Sequence, residues 1–222
     1  MTRLRVGTWN VRTERDFGRA RRALSSILRV AEPHVMLLQE MYAAPNMDDM
    51  FRGYKRAYHV PDRKRVVNGV TQEHGAQAIL IRDDVRLNIA AALSMSRTWR
   101  GPHGQKHAPR IHRRVTVTLN RTTFRVLGWH GTPALSGRWE SNRAAERNLA
   151  SLGAIGPVIL GGDMNQKPEA VRRRIGGTYR ITAPSTGKRL DMFLSSGCAV
   201  RNFEVLSPHG SDHNPLMADF YA

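Results

Sequence analysis

Apolar and polar residues alternate from Leu4 through Val6 and Thr8 to Asn10, the period of a half-buried strand with a polar side chain at its exit. Phe17, Ala20, Leu24, Ile27 or Leu28, and Ala31 then recur at helical spacing and stop before Pro33. Val35 to Leu38 is an unbroken apolar run, the mark of a short buried strand, and it delivers Gln39 and Glu40. The first forty residues therefore predict strand, helix, strand. A right-handed crossover puts the two exits, Asn10 and Glu40, on one edge of the sheet.

The same reading predicts strands over Ala78 to Ile81, Asn88 to Leu93, Val115 to Leu119 and Thr123 to Trp129. The last two form a hairpin over Asn120-Arg121-Thr122. Arg97 to Arg110, rich in Gly, Pro, His and base, reads as a long exposed loop. Trp139 to Leu152 is amphipathic and closes on Gly153, so it reads as a helix. Val158 to Leu160 is a buried strand ending at Asp163, and Pro168 to Ile175 a short basic helix. Strands through Leu190 to Leu194, Phe203 to Leu206 and from Leu216 complete the chain. No repeat, linker or break in composition interrupts it, so residues 1–222 read as one domain.

Charge alters the picture more than size does. The 222 residues carry 35 Lys and Arg against 18 Asp and Glu, a net charge of +17. A field of that sign attracts polyanions, of which nucleic acid is the most abundant. Arg172-Arg173-Arg174, Lys55-Arg56 and Arg63-Lys64-Arg65, with Tyr54, Tyr58 and Trp99 nearby, are candidates for gripping a nucleic-acid backbone. The single cysteine, Cys198, excludes an internal disulfide framework and reads as a small core residue rather than a nucleophile. No apolar run resembles a signal sequence or reaches membrane-spanning length. The expectation is a cytoplasmic protein, monomeric, with no transmembrane segment and no obligate protein partner.

Polar residues that end apolar strands form a set: Asn10, Glu40, His130, Asp163, Asn165, Asp191, Asp212 and His213. Any one of them is explained by turn formation; eight together are not. Jointly they supply the parts of phosphodiester hydrolysis. A hard cation such as Mg²⁺ takes a few carboxylates and keeps its waters, which suits Glu40 and Asp212 with Asn10 alongside. His213 oriented by Asp191 is the candidate general base. Asp163 and Asn165 are candidates for aligning water and holding a phosphate oxygen, and His130 for protonating the leaving oxygen.

Thr8-Trp9-Asn10-Val11, Leu37-Leu38-Gln39-Glu40, Gly128-Trp129-His130, Gly162-Asp163-Met164-Asn165, Asp191-Met192-Phe193 and Ser211-Asp212-His213 occur in this order along almost the whole chain. In this the chain resembles the endonuclease/exonuclease/phosphatase family, and its His130-Gly131-Thr132-Pro133 segment is similar to that of the deoxyribonuclease I-like branch. The resemblance implies an α/β fold, a four-layer α/β/β/α sandwich of two packed mixed β-sheets flanked by helices. It implies hydrolysis of phosphoesters that depends on a divalent metal, Mg²⁺ with Mn²⁺ as a substitute. Carried over residue by residue, it assigns Glu40 to the metal with Asn10 and Asp212 close by, and Asp191 to orienting His213. Asp163 and Asn165 fall to water and phosphate, and His130 to the leaving-group side. Arg113 or Arg114, before the strand at Val115, would touch a phosphate; Glu73 is the nearest acid to consider as a partner for His130. With the charge, this predicts an endonuclease on DNA. RNA, a phosphatase or phosphodiesterase activity on lipid or inositol phosphates, and a catalytically silent nucleic-acid-binding module are the alternatives.

Overall fold

A computed structural model describes residues 1–12, 17–41, 51–60, 63–67, 70–74, 76–94, 99–100, 106–107, 111–131, 156–187 and 189–222. In chain order these form β1 (Arg3–Asn10), α1 (Phe17–Ala31), β2 (Val35–Met41), β3 (Tyr54–Val60), β4 (Arg63–Val67), β5 (Val70–His74), β6 (Ala76–Arg82) and β7 (Arg86–Ser94). There follow β8 (Trp99–Arg100), β9 (Lys106–His107), β10 (Ile111–Leu119), β11 (Thr122–His130), β12 (Val158–Asp163), α2 (Pro168–Ile175), β13 (Arg180–Thr182), β14 (Asp191–Ser196), β15 (Ala199–Val205) and β16 (Leu216–Tyr221).

Two mixed sheets of six strands each, in the orders β15-β16-β1-β2-β6-β3 and β13-β14-β12-β11-β10-β7, carry the fold. Within them β1 runs parallel to β2 and β11 parallel to β12. The period-2 pattern sorts their side chains. Leu4, Val6, Val35, Leu37, Ile79 and Phe220 of the first sheet meet Val115, Phe124, Val126, Ile159 and Phe193 of the second in one buried core. Phe193 and Phe220 cross this gap edge-to-face at 5.4 Å between ring centroids. Each such buried side chain contributes about 1.5–3 kcal/mol by removal from water.

The opposite faces are covered by helices. Ala20, Ala23, Leu24, Ile27 and Leu28 of α1 lie against Trp9, Met36, Leu38, Leu80 and Met217. Val171 and Ile175 of α2 lie against Leu127, Leu160, Met192 and Leu194. The result is the predicted helix–sheet–sheet–helix layering. The last turn of α1 is tied to the first sheet, because Arg5 Nε donates to Ala31 O at 2.9 Å and Arg82 Nη1 to Glu32 O at 3.1 Å. No helix among the described residues is long and apolar enough to cross a membrane.

Several expectations are corrected. The β10–β11 hairpin turns on two residues, not three: Leu119 pairs with Thr122, and Asn120 and Arg121 both have positive φ, at 47° and 65°. The stretch read as one loop from Arg97 to Arg110 contains a short ladder in which Trp99 pairs with His107. Strands β3, β4, β5 and β13 had no counterpart in the pattern. The helix expected over Trp139 to Leu152 lies outside the described residues. Cys198 packs against the inter-sheet core, and burial pushes its thiol up to about 11, which suits a core residue and not a nucleophile.

Candidate active site

Because the sheets pack face to face, the strand exits on their inner faces converge at one end of the sandwich. On β1 the inner face continues Leu4, Val6, Thr8, Asn10; on β11 it continues Phe124, Val126, Gly128, His130; on β12, Ile159, Gly161, Asp163; on β14, Phe193 and Asp191. His130 lies opposite Asp163, and Asp163 opposite Asp191, in the ladder of the second sheet.

Glu40 arrives by a different device. Leu38 pairs with Ala78 but Met41 with Ala76, so two residues, Gln39 and Glu40, oppose the single Gln77. This is a β-bulge, and Glu40 occupies it with φ of 51°. Leu38 and Met41 both face α1, so the bulge leaves Gln39 and Glu40 to the inner side. Glu40 Oε1 accordingly lies 3.2 Å from Asn10 Nδ2 and 3.3 Å from His130 Nε2.

Asp163 is the hub. Its Oδ1 accepts the Asn165 backbone N–H at 2.7 Å, and its Oδ2 accepts Asn165 Nδ2 at 3.2 Å and Asn10 Nδ2 at 3.1 Å. Asn165, at φ 50°, also donates through Nδ2 to Gly131 O at 2.8 Å. Two glycines make this corner possible. A Cβ on Gly162, at φ 153°, would sit 1.9 Å from Trp129 O, and one on Gly131 would sit 2.2 Å from Met164 O. The exits of β11 and β12 therefore close on each other with backbone alone.

His213 reaches the site from the loop before β16. Trp9 Nε1 holds its carbonyl at 3.1 Å, Ser211 Oγ accepts its N–H at 3.1 Å, and Ser211 in turn donates to Asn10 O at 2.7 Å. Its Nδ1 is 2.6 Å from Asp191 Oδ2, while Nε2 stands 4.0 Å from Asp163 Oδ2 and 3.8 Å from Asp212 Oδ1. Burial alone would lower the imidazole pKa. The hydrogen bond to Asp191 and the charges of Asp191, Asp163 and Asp212 outweigh it and raise the value to about 9. Burial pushes the Asp191 carboxyl up, against the pull of His213, and leaves its Oδ1 without a hydrogen bond. The pair thus holds one proton tightly between Nδ1 and Oδ2.

Asp212 sits on the rim, ion-paired to Arg12. Sequence reasoning passed over Arg12, Trp9 and Ser211 as functional residues, although all three lie in or next to the quoted motifs. The register also separates the two arginine candidates. Arg113 pairs with Gly128 on the inner face that His130 shares, whereas Arg114 pairs with Leu127 and faces the α2 side, away from the site. Glu73 lies on β5, opposite Lys64 of β4 in a separate hairpin; among the described side chains, Glu40 lies 3.3 Å and Asp163 4.0 Å from His130 Nε2.

Asp163, Asp191 and His213 place one ligand atom each within 4.8 Å and form a buried group that could hold a metal ion. A second set is all oxygen: the carboxylates of Glu40 and Asp163, and Asn10 Oδ1, a buried acceptor with no hydrogen-bond partner. Hard divalent cations prefer the second kind of donor.

No curated protein sequence matches the chain. Its fold, however, is that of several solved structures. Zebrafish (D. rerio) TDP2 complexed with a single-strand DNA product superposes with a TM-score of 0.76 at 15% identity, covering 100% of both chains. The human Nocturnin catalytic domain with bound sulfate gives 0.71 at 18% identity over 98% of this chain and 93% of that one. An endonuclease/exonuclease/phosphatase family protein from Bacteroides thetaiotaomicron gives 0.72 at 18% identity over 99% and 97%. Residues 7–213 match the Endonuclease/Exonuclease/phosphatase family, hydrolases of phosphoester bonds, and this span takes in every residue of the converging strand ends. The chain belongs to that family.

Proposed function

We propose that the protein is a divalent-cation-dependent phosphodiesterase that cleaves DNA internally, with Mg²⁺ as its working ion. The observation that carries the reading is the buried Asp191–His213 pair at 2.6 Å, with Nε2 turned toward Asp163 and Asp212 rather than into the core. A purely structural histidine has no need of three carboxylates around it. The net charge of +17 and the single-strand DNA product bound by a protein of the same fold support nucleic acid as the substrate.

Glu40, Asp163, Asp212 and Asn10 Oδ1 would hold the cation, which when bound draws charge from a phosphoryl oxygen. His213 Nε2 takes the proton of the attacking water, and Asp191 keeps Nδ1–H fixed so that Nε2 is the basic nitrogen. Asn165 and Asn10 orient Asp163, which positions the water. The Asn165 side chain, and Arg113 on the inner face of β10, would contact the phosphate. His130, between Glu40 and Asp163, protonates the leaving oxygen. His213, with Nδ1 given to Asp191, keeps Nε2 for the proton of the water, so the oxygen set suits the cation better than the Asp163–Asp191–His213 group.

A substrate panel tests this: supercoiled DNA, single-stranded DNA, RNA, abasic duplex and inositol phosphates, each with Mg²⁺, Mn²⁺ and EDTA. Nicking of supercoiled DNA that EDTA stops and His213→Ala abolishes is the expected result. Phosphate release from inositol phosphates with intact DNA selects the small-phosphoester alternative. Tight salt-sensitive DNA binding with no turnover under either metal selects the silent module.

A further inference from the structure

Arg12 has no part in that scheme, yet it sits at the mouth of the site. Two residues beyond Asn10, at φ 44°, it leaves the end of β1 in a left-handed turn, and its Nη1 pairs with Asp212 Oδ2. Both side chains are about one-third exposed, at 37% and 31%, so the pair is reachable from solvent and free to exchange partners. The other oxygen of Asp212 faces His213 Nε2 at 3.8 Å. Asp212 thus meets a guanidinium besides the His213 imidazole, whereas Glu40 and Asp163 meet imidazoles and the neutral amide of Asn10.

We propose that Arg12 is a phosphate-binding residue which Asp212 holds in reserve until a divalent cation takes that carboxylate. The inference rests on the assignment of Asp212 to the cation in the reading above. The single charge of one carboxylate cannot serve a guanidinium on Oδ2 and a divalent cation on the site-facing Oδ1 at full strength, so cation binding loosens Arg12 from Asp212. The released guanidinium stays tethered at the rim beside Asn10. Its planar fork of donors matches two oxygens of a phosphate, a geometry that a lysine ammonium does not reproduce. Linkage then requires reciprocity: the cation tightens phosphate binding, and phosphate tightens cation binding by the same factor.

The test is calorimetric titration of Mn²⁺ into the substrate-free protein, for wild type, Arg12→Gln, Asp212→Asn and the double variant. A phosphorothioate oligonucleotide is then titrated with and without Mn²⁺. Arg12→Gln is expected to tighten Mn²⁺ about threefold, the worth of an exposed ion pair. It should weaken the oligonucleotide about tenfold and erase the Mn²⁺ dependence of its binding. Arg12→Lys should keep wild-type Mn²⁺ affinity, because the competing charge remains, while oligonucleotide binding stays weak. The double variant should bind Mn²⁺ like Asp212→Asn alone. If Asp212→Asn weakens Mn²⁺ but Arg12→Gln fails to tighten it, the reserve mechanism is wrong and the cation assignment stands. If Asp212→Asn leaves Mn²⁺ affinity unchanged, Asp212 is not a ligand, and the cation assignment and this inference fall together.

Discussion

Two histidines mark opposite ends of the first sheet. His34 stands at the head of β2, and His213 beside its tail, next to Asn10 and Glu40. They are equally buried, at 6% and 8% exposure, so burial cannot account for their difference. His34 Nδ1 accepts the backbone N–H of Arg5 at 2.8 Å. Burial and the charge of Arg82 bring its pKa down to about 4, against a weaker pull from Asp84. His213 Nδ1 faces Asp191, and its value rises to about 9. Burial disfavours the charged form of both; what each ring nitrogen touches decides the sign. A histidine that accepts an amide N–H closes a fold. One that donates to a carboxylate has its charged form stabilised, which makes its other nitrogen a stronger base.

The strongest way to break the contrast is to make His213 resemble His34. Asp191→Asn removes the carboxylate while nearly keeping its shape. The His213 value should then fall below its present position near 9, as followed by imidazole NMR in the cation-free protein. Turnover should drop about 10²–10⁴-fold, the usual worth of a positioned general base. Cleavage within tenfold of wild type would show that Asp191 does not orient the base.

That contrast was only partly legible in the sequence. Strand ends were: Asn10, Glu40, His130 and Asp163 each follow an apolar run and Asp191 opens one, and a period of two assigns faces once a strand is found. The aim of Glu40 was not, because simple alternation turns it toward α1, and only the bulge opposite Gln77 turns it inward. Strand β3 escaped for a related reason. A register shift between Arg56 and Tyr58 breaks its alternation, and β13 has three residues, too few for any period to show. Arg113 and Arg114 are adjacent and chemically alike, so nothing short of their pairing with Gly128 and Leu127 separates them. The role of His34 was invisible, since its partner is a backbone N–H, and the pairing of Arg12 with Asp212 spans 200 positions.

A smaller effect sharpens the comparison from the alkaline side. A histidine raised from 6.5 to about 9 stabilises the fold fully below pH 6.5, and that contribution is lost as pH climbs through 9. In the cation-free protein, urea denaturation should therefore show about 2–3 kcal/mol of stability disappearing between pH 6.5 and 9, offset in part by the cost of burying Asp191. Asp191→Asn should remove most of this slope. An unchanged slope in the variant would place the titrating group elsewhere.

The smallest effect belongs to His34 and lies on the acid side. Its value is lowered, so between pH 6.5 and about 4 the unfolded chain binds a proton that the folded protein does not. Stability must fall as pH drops through that window, by about 2 kcal/mol once solvent screening is discounted. The geometry gives the reason: a proton on Nδ1 would face the Arg5 N–H donor head-on. His34→Asn supplies a side-chain carbonyl for the same N–H but cannot take up a proton. Between pH 6.5 and 4 the variant should lose about 2 kcal/mol less than wild type, whatever the carboxylates elsewhere contribute to both. Parallel curves would mean that His34 is protonated within the fold and that the amide contact does not set its charge. The same change should leave turnover at neutral pH untouched, because His34 lies at the end of the sheet away from Asp163 and His213.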